Sequence, residues 1–149
     1  MSETYIDRPW VYENYHGEAS FAIPDGAKKI GAGAFNNCTS LTSITIPDGV
    51  TEIEDGVFEG CESLTSITIP DGVMTIGWSA FAFCKSLTSI TIPNSVTKIE
   101  ARAFRYCDNL TIHCSRGSVA EMYANMYNIP VAYDDQKKKI KRQDGRDDI

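Results

Sequence analysis

Between Ile23 and Cys114 the hydrophobic positions recur with a fixed period of 23 residues. Ile23, Ile46, Ile69 and Ile92 each precede a proline, and Phe35, Phe58, Phe81 and Phe104 follow at one offset. Cys38, Cys61, Cys84 and Cys107 follow at a second, and Leu41, Leu64, Leu87 and Leu110 at a third. In Leu41-Thr42-Ser43-Ile44-Thr45-Ile46 the alternation sets Ile44 and Ile46 on one side of a predicted strand, with Ser43 and Thr45 on the other. Pro47-Asp48-Gly49 ends that strand: proline pre-sets the first turn torsion, aspartate bonds local backbone and glycine tolerates a positive torsion. Val50 to Ile53 predicts a second short strand, and the three-residue spacing of Phe58, Cys61 and Leu64 predicts a helical or 3-10 turn facing the same core. The chain then returns to its start one layer higher, so the period predicts an α/β solenoid of stacked coils with parallel strands.

About eight apolar positions per coil cannot offset the entropy of ordering 23 residues, which makes stacking obligatory and the two ends in need of covers. The organisation expected is an N-terminal cap over residues 1–22, four repeats (23–45, 46–68, 69–91 and 92–114), a capping helix and strand over 115–133, and a disordered charged tail over 134–149. Trp10, Val11, Tyr12 and Tyr15 are the apolar residues available to cover the first layer, and Phe21 and Ile23 fall one period before Ile44 and Ile46. Downstream, Leu110 to Cys114 predicts a last strand, one residue short. Ser118-Val119-Ala120-Glu121 reads as a capping box, followed by a helical face of Val119, Met122, Tyr123 and Met126. Ile129 to Tyr133 predicts an edge strand, and the only basic cluster lies beyond it, at Lys137, Lys138, Lys139, Lys141 and Arg142.

The unit Ile-Pro-Asp-Gly-Val-x-x-Ile-Gly-x-x-Ala-Phe-x-x-Cys-x-x-Leu resembles the BspA-like class of leucine-rich repeat proteins, over Ile23 to Cys114. The stretch Ser118 to Ala124 is similar to that family's usual closing segment. The resemblance implies a right-handed leucine-rich solenoid of the kind often displayed on bacterial surfaces, where several members act as adhesins for host proteins or other cells. It carries over no catalytic residue. This chain shows no export signal and no evident wall anchor, so the expected location is cytoplasmic as written, or the cell surface if the chain is an excised segment of a longer protein.

Charge narrows the partners. A net charge of -6 opposes a nucleic-acid backbone and an acidic membrane surface, and no apolar run is long enough for membrane insertion. Of five cysteines, four share one column of the repeat, a ladder of reduced core thiols rather than a disulfide framework. With two histidines and no Cys-x-x-Cys pair, neither a metal nor another cofactor is expected. Asp25, Asp48, Asp71 and Asn94 form a column explained by turn chemistry, without the glycine-rich pattern of calcium-binding coils. No histidine has an evident nucleophile beside it and no phosphate-binding glycine loop is present, so the chain reads as a non-enzyme.

Two surfaces carry the candidate chemistry. Ser43, Ser66 and Ser89 with Thr45, Thr68 and Thr91 make outward strand-face ladders, which His113 extends. Such an array can hydrogen-bond sugar, ordered water or ice, but at roughly 300 Å² it is smaller than the roughly 800 Å² per partner of a standard interface. The second surface lies where otherwise identical copies differ. Trp78, Phe83 and Tyr106 occupy slots that hold Ala32, Asp55, Asn37 or Gly60 in other coils, and Arg102 and Arg105 stand beside them. Aromatic rings with arginine have the composition of an interaction hot spot; packing on a neighbouring coil is the alternative. The reading is a protein-interaction module with an unknown protein partner. The alternatives are a structural element acting by self-association and, as a minor one, a carbohydrate- or ice-binding surface.

Overall fold

A computed structural model describes residues 4–134, so the expected charged tail lies outside the described residues apart from Asp134. In chain order the elements are β1 (Thr4–Ile6), α1 (Arg8–Asn14), β2 (Ser20–Ala22), β3 (Ala27–Ile30), β4 (Ser43–Thr45), β5 (Glu52–Ile53) and β6 (Ser66–Thr68). They continue as β7 (Thr75–Ile76), β8 (Ser89–Thr91), β9 (Lys98–Ile99), β10 (Thr111–Cys114), α2 (Val119–Met126) and β11 (Val131–Tyr133). One parallel sheet runs β1-β3-β5-β7-β9. A second row consists of β2-β4 and β6-β8-β10-β11, and the Thr65 N–H donating to the Thr42 carbonyl at 3.2 Å joins its two stretches. Ser66 pairs with Ser89 and Glu52 with Thr75, so each strand sits opposite its own copy in the next coil.

Identical residues therefore stack on identical residues. Ile44, Ile67, Ile90 and Ile112 fill one buried column, and Ile30, Ile53 and Ile76 another. Phe35, Phe58, Phe81 and Phe104 form a continuous ring stack, with centroids 5.6, 5.2 and 5.3 Å apart. That column removes one aromatic ring of every coil from water, where aromatic burial gives the largest return per residue.

The third side of each coil differs from a continuous 3-10 helix. It keeps single i→i+3 bonds, such as Glu59 N–H to the Gly56 carbonyl and Cys61 N–H to the Phe58 carbonyl. The intervening groups point to the next coil: Gly56, Phe58 and Gly60 N–H donate to the carbonyls of Trp78, Ala80 and Ala82 at 2.9, 2.7 and 2.8 Å. Two left-handed residues per coil divide the turn in this way, so the backbone bonds both within and between layers.

At the N-terminal end the Asp7 side chain accepts the Trp10 N–H at 2.9 Å and starts α1. Val11 is buried, and the Trp10 and Tyr15 rings meet Phe21 edge-on. Tyr12, expected to help cover the first layer, is 79% exposed. At the other end Ser118 Oγ accepts the Glu121 N–H at 3.1 Å, and a Glu121 carboxylate oxygen accepts the Gly117 N–H at 2.9 Å. The buried face of α2 is Ala120, Tyr123 and Ala124, whereas Met122 and Met126 are 63% and 71% exposed. The expected face is thus corrected: small alanines let α2 approach β9 and β10 while the Tyr123 ring meets Phe104 edge-on at 5.9 Å. Among the described residues no helix is long and apolar enough to cross a membrane.

Candidate interaction surface

Two left-handed positions on the third side of each coil are columns of the repeat. The first holds Gly33, Gly56, Ser79 and Arg102, with φ of 65, 64, 55 and 63°. The second holds Asn37, Gly60, Phe83 and Tyr106, with φ of 58, 76, 61 and 61°. Glycine and asparagine suit these torsions; a branched-ring side chain there costs about 1 kcal/mol or more. The aromatic substitutions in the last two coils therefore sit on backbone that disfavours them, and both side chains face solvent, at 40% exposure for Phe83 and 47% for Tyr106.

Phe83, Tyr106 and Arg105 form one cluster. The Phe83 and Tyr106 rings are 4.8 Å apart at centroids, Arg105 Cζ lies 4.8 Å from the centre of the Tyr106 ring, and an Arg105 Nη donates to the Tyr106 hydroxyl at 3.0 Å. Arg102 joins Arg105 and Tyr106 on the wall of a cleft of about 440 Å³ between the last coil and the segment after α2. Its far wall is Tyr127, Asn128, Ile129 and Pro130, residues the repeat pattern does not single out because they lie beyond it. Trp78, 47% exposed, pairs with no ring among the described residues; its backbone N–H donates to Asp55 Oδ1 at 2.8 Å. Local packing explains part of the cluster, since Phe83 and Tyr106 cover one another, but half of each ring stays in water.

The strand-face ladder is in register. Ser20 and Ser43 share a hydrogen bond of 2.8 Å, Ser66 lies opposite Ser89, Thr68 opposite Thr91, and Thr91 opposite His113. Ser43, Thr45, Ser66 and Thr68 are exposed, whereas Ser89, Thr91 and His113 are half-buried towards the end where β11 pairs with β10. His113 Nδ1 is buried without a hydrogen-bond partner among the described residues.

The cysteine column faces the core. The Cys61, Cys84 and Cys107 thiols donate to the carbonyls of Phe35, Phe58 and Phe81 at 3.2, 3.1 and 3.0 Å. Burial pushes the Cys61 thiol up to about 12, and the neighbouring Cys107 thiol together with burial pushes Cys84 up as well. Cys61 and Cys84 are therefore poor nucleophiles and act as small apolar side chains with one weak donor, whereas the hydrogen bond with Cys84 lowers the Cys107 thiol.

The region model for the BspA-type leucine-rich repeat matches residues 11–129 in six copies, a span wider than the four units read from the period. The chain belongs to the BspA-type leucine-rich repeat family. No curated protein matches it. Among solved structures it is similar to the leucine-rich repeat protein TpLRR of T. pallidum, at 38% identity and a TM-score of 0.62 over 64% of this chain and 45% of that one. A leucine-rich repeat protein from Bacteroides ovatus is 40% identical, with a TM-score of 0.59 over 63% of this chain and 24% of that one. The pneumococcal vaccine antigen PcpA is 26% identical, with a TM-score of 0.54 over 66% of this chain and 31% of that one. The chain thus spans less than half of the length of each of these proteins.

Proposed function

We propose that this chain is a non-catalytic protein-interaction module whose contact surface is the Phe83, Tyr106, Arg105 and Arg102 cluster, used in adhesin-like fashion. One observation carries the reading. Two large aromatic residues occupy left-handed positions that their own repeat fills with Asn37 and Gly60, and they remain half-exposed there. A residue that costs backbone stability and gains only partial burial has the profile of a functional site. Trp78 adds a separate exposed ring on the same coil as Phe83. The described parts of the flanking regions, 4–22 and 115–133, act as end covers for the core of the four central coils.

The test compares wild type with a Trp78→Ser, Tyr106→Ser variant, immobilised at equal density and matched by circular dichroism, for capture of proteins from bacterial and host extracts. Loss of a captured protein with the variant supports the reading; identical capture sinks it.

Self-association is a second reading with its own support. A hollow of about 320 Å³ around Gly60, walled by Glu59, Glu62 and Phe83, lies two coils before Tyr106 and Arg105. In an antiparallel pair of copies centred on Phe83, Tyr106 of each would enter the Gly60 hollow of the other, with Arg105 against Glu59. Sedimentation equilibrium over a concentration series separates this from a monomeric module.

A further inference from the structure

The cleft of about 440 Å³ beside the last coil has an aromatic ring on each wall, and both rings are held in place by neighbours. On the coil wall, Tyr106 packs against Phe83 at 4.8 Å between centroids, while Arg105 lies over the Tyr106 ring and donates to its hydroxyl. On the opposite wall, Tyr127 packs against Tyr123 at 4.5 Å, and the buried Tyr123 is hydrogen-bonded in turn to the backbone at Phe104. Tyr106 and Tyr127 nevertheless remain 47% and 46% exposed. The same cleft is lined by polar groups of both signs: the Arg102 and Arg105 guanidinium groups, the Asp108 carboxylate and the Asn128 amide. Among the described residues none of the three charged groups is held in an ion pair.

We infer that this cleft is a carbohydrate site for a pyranose bearing a carboxylate, a hexuronic or sialic acid residue on the glycan of a partner glycoprotein. The inference rests on the proposed interaction function and specifies what the partner presents to that surface.

Four considerations lead to it. A pyranose has an apolar C–H face and a rim of hydroxyls, so it takes an aromatic ring against the face and donors and acceptors around the rim. Tyr106 and Tyr127 supply such rings, with little left to lose in ordering them because Phe83, Arg105 and Tyr123 already fix them. The planar fork of an arginine matches a carboxylate bidentately, and Arg102 and Arg105 are both available for it. Asp108 only accepts hydrogen bonds, so it selects hydroxyl donors and repels a plain anion; a sugar acid satisfies both signs where a phosphate or an acidic peptide does not. The volume of about 440 Å³ also falls within the roughly 300–1,000 Å³ of small-molecule sites.

The experiment titrates the isotopically labelled full chain with the methyl glycosides of glucuronic acid and of sialic acid, with methyl glucoside as the neutral control and acetate as the anion control. Amide shifts are followed residue by residue. A sugar acid should bind saturably and move the amides of Tyr106, Asp108, Tyr127 and Asn128, and the tighter of the two identifies the source. The glucoside should bind roughly tenfold more weakly, and acetate should not saturate. Asp108→Ala should weaken the sugar acid roughly fivefold, because a hydroxyl loses its acceptor, whereas it would strengthen a site for simple anions. Tyr127→Ala should weaken it by a similar factor through loss of the ring. Both residues are exposed, and circular dichroism checks that both variants fold. Absence of saturable binding by either sugar acid would overturn the inference, as would shifts confined to another face or tighter binding by Asp108→Ala. Extract capture is then repeated after sialidase and glucuronidase digestion. If Tyr106-dependent capture survives digestion, the sugar inference is wrong and the interaction surface stands. If a sugar acid fills the cleft while capture ignores Tyr106, the protein-interaction reading fails and the sugar site stands.

Discussion

The Cys84 thiol donates to the Phe58 carbonyl, 3.1 Å away and one coil earlier, and the same contact recurs from Cys107 to Phe81 and from Cys61 to Phe35. The cysteine column thus follows from a weak donor of small volume meeting a carbonyl that the turn brings into the core. Cys84→Ala deletes the donor and leaves a small void in a site with no exposed surface, so it should destabilise the fold by about 1–3 kcal/mol in urea unfolding. An unchanged midpoint would show that the thiol contact contributes nothing.

The phenylalanine stack makes a larger demand. Phe58 is fully buried between Phe35 and Phe81, and Phe58→Ala should cost about 3–5 kcal/mol, the range for a buried aromatic. Because no coil is stable alone, the loss should appear as one cooperative transition at lower temperature and not as melting of one layer.

High pH should unfold the chain through its buried acids. Burial raises Cys61 from 9.0 to about 12, and Tyr15 and Tyr123 from 10.0 to about 12. With folded pKa values above the unfolded ones, the native state holds protons that the unfolded chain has already released, so stability falls as pH rises. The contribution is complete below the unfolded values and is lost between about pH 9 and 12. Denaturant midpoints measured across that window should decline continuously. A flat profile would contradict the assigned burial.

The start of α2 depends on Ser118, whose side chain accepts the Glu121 N–H. Ser118→Ala should cost about 1 kcal/mol, and amide exchange should accelerate in α2 before it does in β6 or β8.

Much of this was legible in the sequence because a solenoid writes its layers as a period. The Phe35, Phe58 and Phe81 column, the opposed Ser66 and Ser89 and the capping box at Ser118 all follow from spacing. The α2 face was misread because Met122 and Met126 outweigh Ala120 and Ala124 in hydrophobicity, while the contact with β9 and β10 selects for small size. The left-handed columns escaped attention although a signal was present: Gly33 and Gly56 stand in one, Gly60 and Asn37 in the other, and two such residues per column indicate a positive torsion that Phe83 and Tyr106 inherit. The cleft beside Tyr127 to Pro130 involves residues outside the repeat, and only the folded return of the chain after α2 brings them to Tyr106.

The central claim is that Phe83 and Tyr106 are kept for contact and at the expense of the backbone. It is tested most directly by measuring stability and partner capture together on Phe83→Gly, Tyr106→Gly and on the matching alanine variant. Glycine relieves the positive torsion and alanine does not, so the glycine variant should be more stable than the alanine variant by about 1 kcal/mol per site, and both should lose capture. Retained capture, or a glycine variant no more stable than the alanine one, would contradict the account.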